Sequence, residues 1–188
     1  MALTRLTIDG YGQIELNNVA FRRDGRIVAQ CKPDATDFSS VPVENGMLLA
    51  VDEVNKTVKF AEDSSLPIAL NYSAEHIYDE RTPGLKNFKI DATDDFYPRL
   101  GYLAVGDKFT TNCISYDSAV DTAFTAESVF ISALKAYKTN ALYGGAGADG
   151  TIVVSATQPT FGPVLKVING NWTMPDGTIG VKFQVIAD

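Results

Sequence analysis

Few side chains in this sequence could carry nucleophilic or acid–base chemistry. His76 is the only histidine among 188 residues. A Ser/His/Asp or Cys/His relay would have to use it, yet its surroundings, NYSAEHIYDE, lack the glycines of a nucleophile elbow. Neither H-E-x-x-H nor C-x-x-C occurs, so the sequence predicts no zinc site. We therefore expect His76 to be a loop residue without a catalytic role.

A pair of carboxylates could still hydrolyse a glycosidic bond, because that reaction needs only an acid and a base or nucleophile at a fixed separation. The candidates lie in KIDATDDFYP and SYDSAVDTA and are Asp91, Asp94, Asp95, Asp117 and Asp121. Both stretches are typical of turns, where aspartate side chains bond to nearby backbone amides. The first three also miss the spacing of a calcium loop. We predict no catalytic residue, no metal, no cofactor and no enzymatic activity.

Two further groups of residues could bind a ligand. The stretch LYGGAGADGT contains G-x-G, but it follows a helix and precedes a strand, which reverses the order of a phosphate-binding loop; it predicts a flexible connection. Trp172, Tyr97 and Tyr102 could form a platform on which sugars stack. Aromatic residues scattered through strands more often belong to a core, and that is the interpretation we prefer.

The composition is that of a globular domain and excludes some partners. Hydrophobic residues make up 45% of the chain, and 16 basic against 23 acidic residues give a net charge of −7. Binding to duplex nucleic acid depends on clustered Lys and Arg, so we expect no nucleic-acid partner. The opening MALTRLTIDG lacks the basic region and unbroken apolar stretch typical of a signal peptide, and no apolar run approaches the length expected of a bilayer span. We expect synthesis in a cytoplasm and no membrane contact. Cys31 and Cys113 lie in strand-like stretches and are predicted to be free, half-buried thiols.

Alternating apolar residues separated by turn signals predict a mainly β fold. Asp24-Gly25 predicts one hairpin turn, and Asn55-Lys56 predicts another between apolar runs at 47–51 and 58–60. Near the carboxyl end, turns are predicted at Asn169-Gly170 and at 175–177. In the last strand the buried face is expected to comprise Ile179, Val181, Phe183 and Val185.

One helix interrupts this pattern at about 126–137. Ala126, Phe130, Ala133, Leu134 and Tyr137 fall on one side of it, and Thr125 could cap it. No linker divides the chain, so residues 1–188 are expected to form a single domain. The expected architecture is an antiparallel β-barrel or β-sandwich, of a β-tulip-like kind, with this one short α-helix.

Three stretches resemble the head decoration (cement) proteins of tailed bacteriophages. They are VENGMLLAVDEVNKTVKFAEDSSLPIALNYSAE, RLGYLAVGDKFTTN and the ending GPVLKVINGNWTMPDGTIGVKFQVI. The features in common are a hairpin followed by a glycine-tagged strand, and the phrases G-x-L-x-x-V and V-G-D-x-F-x-T. The chain is longer than the smallest, lambda-type members and carries the additional helix.

The resemblance implies a virion structural protein that binds the outside of an assembled phage capsid and stabilises it. It implies the major capsid protein as partner, a homotrimer, and localisation on the capsid surface. Such a protein needs no active site, because many weakly bound copies stabilise only the assembled shell.

Residues 1–17 could form an N-terminal arm or an edge strand. Within MALTRLTID the side chains alternate, so this stretch could add as a strand to a capsid loop through Leu3, Arg5, Leu6 and Ile8. The alternative is an edge strand of the chain's own sheet. Two other functions remain open at this point: a tail-tube or tail-tip subunit, and a carbohydrate- or receptor-binding module.

Overall fold

The computed structural model describes residues 3–62, 65–74, 83–119 and 121–188. His76 lies outside these residues, so its predicted loop role stays a prediction. The described strands, in chain order, are β1 (Thr4–Arg5), β2 (Ile14–Asn18), β3 (Ile27–Val28), β4 (Lys32–Pro33), β5 (Leu48–Asp52), β6 (Thr57–Phe60), β7 (Ile68–Asn71), β8 (Leu100–Gly101), β9 (Lys108–Thr111), β10 (Ile114–Tyr116), β11 (Tyr143–Ala146), β12 (Ile152–Ser155), β13 (Val164–Thr173) and β14 (Ile179–Ala187). Two α-helices, α1 (Phe21–Asp24) and α2 (Glu127–Lys135), and a 3-10 helix (Pro83–Asn87) complete the described elements.

The strands form two open sheets. The order in the larger sheet is β1-β10-β12-β11-β13-β14-β9-β2, and the order in the smaller is β3-β8-β7-β5-β6-β4. The pairs β10–β12 and β4–β6 are parallel and the other pairs are antiparallel. The predicted mainly β, sandwich-like fold is therefore confirmed, as an arrangement of two mixed sheets rather than a closed barrel.

Strand β5 lies between two apolar clusters, because successive side chains of a strand point to opposite faces. Leu48 joins a cluster that includes Phe109 and Phe183 of the larger sheet. Leu49 joins a second cluster, which loop residues such as Phe38 help to form. All five residues of β5 are buried. The first cluster lies between the sheets, and the second lies on the opposite face of the smaller sheet.

The hairpin of β5 and β6 and the last strand match the sequence predictions. Asp52 pairs with Thr57 across the turn, and Lys56 has a positive φ of 56°. In β14, Val181, Phe183 and Val185 are fully buried. The turn between β13 and β14 includes Gly177 with φ 84°, as the Pro-Asp-Gly sequence predicts.

Three local predictions are wrong. Gly25 has the expected positive φ, but it ends α1, so the predicted Asp24-Gly25 hairpin is absent and β2 and β3 lie in different sheets. The predicted turn at Asn169-Gly170 is absent because β13 runs through it with bulges. The predicted flexible connection around 142–151 contains β11, which lies in the interior of the larger sheet.

The predicted helix at 126–137 is α2, slightly shorter than expected. Phe130 and Leu134 are its buried residues, and Ala126 rather than Thr125 occupies the N-cap position, without a capping side chain. Gly170 of β13 allows the close approach of this helix, because a Cβ there would lie 2.2 Å from the carbonyl oxygen of Leu134. Packing against α2 thus explains the glycine that had suggested a turn.

Candidate functional site

The N-terminal segment, residues 3–9, lies along one edge of the larger sheet. Thr4 pairs with Tyr116 and Arg5 with Ser115 of β10. Leu6 follows, with its backbone N–H donating to the Ile114 carbonyl at 3.0 Å. The structure thus places this segment as an edge strand of the chain's own sheet, the second of the two interpretations from the sequence.

The four residues predicted to contact a capsid have different surroundings. Leu6 is 1% exposed and belongs to the cluster between the sheets, and Ile8 packs against that cluster. Arg5 forms an ion pair with Glu44. Leu3 lines an open groove. Contact with a capsid stays a prediction for all four, but Leu3 is the one best placed for it without rearrangement.

A largely buried ion pair attaches the N-terminal segment to the body. The Arg5 guanidinium donates to both carboxylate oxygens of Glu44, to Oε1 at 2.6 Å. Glu44 is 3% exposed and also accepts from the Gly12 backbone N–H. Burial opposes the charge of Arg5, but the hydrogen bond and charge of Glu44 outweigh it and raise the pKa of Arg5. Arg5 therefore stays charged at any physiological pH.

Cys113 lies close behind this ion pair. It is fully buried, and burial raises the pKa of its thiol. A Cβ at Gly12 would come within 2.8 Å of the Cys113 Cβ, so the backbone that Glu44 holds also covers the thiol. Cys113 and Cys31 are both free, as predicted, but both are fully rather than half buried. A protonated, enclosed thiol is a poor nucleophile.

The first of two grooves beside the N-terminal segment, the Leu3 groove, has a volume of about 620 Å³. Strands β11 and β12 contribute Gly145 and Val153, and the loop at 157–161 forms one side. Gly145 permits that loop to approach, because a Cβ there would lie 2.5 Å from the Pro159 Cβ. The remaining lining residues are Leu3, Ala61, Glu62, Asp117, Ala146, Gly147, Ala148 and Ser155.

The Leu3 groove is apolar and acidic. Glu62 and Asp117 are its only charged residues, and the described lining contains no Lys, Arg or His. Asp117 also accepts from the Ala119 backbone N–H at 2.8 Å, which orients its carboxylate. Sequence reasoning missed this groove because four distant stretches of chain build it, and no local pattern marks their meeting. The groove could hold an extended segment with apolar and basic side chains.

The second groove, the Trp172 groove, has a volume of about 320 Å³. Leu6 and Thr7 of the N-terminal segment line it together with Glu127 and Lys135 of α2. The hairpin of β13 and β14 contributes Asn171, Trp172, Thr173, Gly177, Thr178 and Ile179. Trp172 is 38% exposed and Tyr97 is 44% exposed, so the preferred core interpretation is wrong for these two residues. Lys182 Nζ lies 5.7 Å from the centroid of the Trp172 ring.

The aspartates considered for hydrolysis mostly act in turns. Asp94 accepts from the Asp91 backbone N–H at 2.8 Å, and Asp121 accepts from Ala123 at 3.1 Å and Ala156 at 2.9 Å. Asp95 forms an exposed ion pair with Lys32. These contacts confirm the predicted turn roles of Asp94, Asp117 and Asp121, whereas the Asp91 carboxylate pairs with Lys89. They do not bring the five carboxylates together as one site.

Searches for similar proteins give no functional assignment. No protein-family model matches the chain, and no curated protein or solved structure is similar to it. Among the described residues, no group of three His, Cys, Asp or Glu side chains could hold a metal ion. In the same residues, no helix is long and apolar enough to cross a membrane.

Proposed function

We propose that this chain is a virion structural protein that binds the outside of an assembled phage capsid and stabilises it. The observation that carries the proposal is the Leu3 groove, an open, acidic and apolar depression beside the edge strand β1. Such a groove suits an extended segment of the major capsid protein that presents apolar and basic side chains. Complementary charge would steer the encounter and fix its register.

The rigid body around the groove suits this role. Strands β11 and β12, which contribute to the groove, are paired to each other over four residues, and the core side chains Ile152 and Val154 lie behind them. A groove held in this way loses little conformational freedom on binding, so each contact contributes more of its free energy to affinity. Many copies on one lattice would then stabilise the assembled shell together.

The proposal is tested by co-sedimentation of the purified chain with expanded, empty heads of the phage that encodes it. We expect saturable binding with a defined number of copies per head. Ala148→Arg places a long cation in the groove at an exposed position and should reduce binding at least tenfold, by steric block, while leaving folding unchanged. Failure of the unmodified chain to bind heads would overturn the proposal.

Two further variants separate charge from shape. Glu62→Gln with Asp117→Asn keeps the groove's shape and Asp117's turn contact but removes both charges, and should weaken binding severalfold. Trp172→Ala lies in the other groove and should bind heads as the unmodified chain does. Equal binding by Ala148→Arg would exclude the Leu3 groove as the contact.

The native mass of the chain provides a separate check. We propose a trimer, as implied by the resemblance to decoration proteins. Analytical ultracentrifugation that finds a trimer supports this assembly. A hexameric ring, or polymerisation in the absence of heads, would instead favour a tail-tube subunit, since such subunits assemble with one another through sheet edges.

A further inference from the structure

We infer that the Trp172 groove is a binding site for a neutral saccharide, a function separate from capsid binding. The first reason is the aromatic residue. Trp172 is the only tryptophan in the chain, and it lies in the final part of β13 with 38% of its surface exposed. A large aromatic ring presents an apolar face with a hydrogen-bonding edge. The C–H face of a sugar ring packs against such a surface.

The second reason is the hydrogen-bonding capacity around the ring. Glu127 accepts from the Thr7 backbone N–H and hydroxyl through Oε2 alone, and Oε1 has no partner among the described residues. Lys135 forms no ion pair with any other described residue. Asn171 is an exposed residue; its backbone N–H donates to Asn169 Oδ1 at 2.9 Å, and its side-chain amide has no hydrogen-bond partner among the described residues. An acceptor, a cation and an amide thus line one groove together with an aromatic ring, a set that suits the hydroxyl groups of a sugar.

The charge and size of the groove limit the ligand. Within the described lining, Glu127 and Lys135 carry opposite charges that cancel, so the lining itself favours a neutral ligand over an ionic one; Lys182 lies outside the lining, over the Trp172 ring. A volume of about 320 Å³ lies at the lower end of small-molecule sites, which span roughly 300–1,000 Å³. These features favour a mono- or disaccharide over a long polymer enclosed along its length.

The molecule supplies a matched control for the aromatic contact. Tyr97 is also exposed, at 44%, and has Lys32 Nζ 5.2 Å from its ring centroid. This pair resembles Trp172 with Lys182, at 5.7 Å, but Tyr97 lines neither groove. An exposed aromatic ring with a nearby lysine is therefore present in both places, and of the two rings only that of Trp172 lines one of the two grooves described above.

The single tryptophan makes the test direct. Intrinsic fluorescence of the full chain is titrated with the mono- and disaccharides of glucose, galactose, mannose and N-acetylglucosamine, each up to about 10 mM, which would nearly saturate a site with a Kd near 1 mM. We expect a saturable change in Trp172 emission with at least one sugar. The absence of a saturable change across this panel would overturn the proposal.

Variants then locate the site by calorimetry, with circular dichroism as the check on folding. Trp172→Ala should lower the affinity at least tenfold and Glu127→Gln severalfold, whereas Trp172→Phe should retain measurable binding. Tyr97→Ala and Ala148→Arg should bind the sugar as the unmodified chain does. Undiminished binding by Trp172→Ala would overturn the proposal, whether or not the chain binds capsids.

Discussion

The two grooves flank the same N-terminal segment but are lined by different chemistry. Leu3 contributes to one groove, and Leu6 and Thr7 contribute to the other. The Leu3 groove combines small apolar residues with two carboxylates, whereas the Trp172 groove combines an indole, an amide and charges of both signs. The first arrangement suits a basic, apolar peptide and the second a neutral polyhydroxyl ligand. Similar proximity to one edge strand therefore does not imply similar ligands.

The grooves also differ in what supports them. The strands behind the Leu3 groove rest on the core, because a Cβ at Gly144 of β11 would lie 2.9 Å from the Phe183 ring. The Trp172 groove lies where a short helix meets a hairpin, and the contact of Glu127 with Thr7 joins α2 to the N-terminal segment. We therefore expect substitutions in the core and substitutions that detach the N-terminal segment to have separable effects on stability.

The largest expected effect is the loss of the Phe183 ring. Phe183 is fully buried, and its ring centroid lies 5.7 Å from that of Phe109. Phe183→Ala should lower the free energy of unfolding by about 3–5 kcal/mol, because it leaves a cavity between the sheets. A urea melt measures this change. Ile186→Ala, at a 36% exposed position on the same strand, should cost less than about 1 kcal/mol. Equal costs for the two variants would contradict the placement of β14.

A smaller loss is expected when the ion pair that attaches the N-terminal segment is broken. Glu44→Gln leaves the Arg5 charge without a counter-charge and should cost about 2 kcal/mol, below the usual range for buried pairs because Arg5 is 33% exposed. Urea melts again provide the measurement. Asp95→Asn removes an exposed ion pair with Lys32 and should leave the melt unchanged. A stable Glu44→Gln variant would show that the pair does not anchor the segment.

How far the sequence predicts these features depends on how local their causes are. The alternation in β14 and the hairpin of β5 and β6 were predictable because each is decided by neighbouring residues and one turn. Gly25 and Gly170 were misread because glycine serves several purposes: the first ends a short helix and the second admits the Leu134 carbonyl. Both look like turn residues in a single sequence.

The candidate sites were predictable only in part. The N-terminal stretch could be identified as strand-like from its alternation, but its partner Glu44 is 39 residues from Arg5 and nothing local pairs them. The sequence placed Trp172 in the core because aromatic residues in strands are usually buried. In the structure, however, the register between β13 and β14 shifts between Asn169 and Trp172. Such a bulge changes which residues face outward, and the sequence pattern does not mark it.

The reactivity of the two buried thiols reports on local opening near the N-terminal segment, which lies between the grooves, whereas a urea melt reports on global unfolding. Both thiols belong to the second cluster, but Cys113 lies under Gly12, which donates to Glu44, whereas Cys31 lies directly before β4. Burial raises the pKa of both thiols, so both should resist iodoacetamide in the native chain at pH 8. In Glu44→Gln, the alkylation rate of Cys113 relative to Cys31 should rise about tenfold through local opening. Mass spectrometry of the digested protein gives both rates, and a parallel rise would indicate global unfolding instead.

The smallest expected effect separates the two grooves by their dependence on salt. Attraction between the Leu3 groove and a basic partner is screened as the Debye length falls from about 10 Å at 0.1 M salt to about 3 Å at 1 M. Raising NaCl over this range should therefore weaken head binding severalfold, and most of that loss should come from slower association at high salt. Saccharide affinity should change less than twofold, because a neutral ligand has no net charge to screen. The double variant Glu62→Gln, Asp117→Asn should lose the salt dependence of head binding. If it retains the full dependence, charges elsewhere on the surface steer the partner.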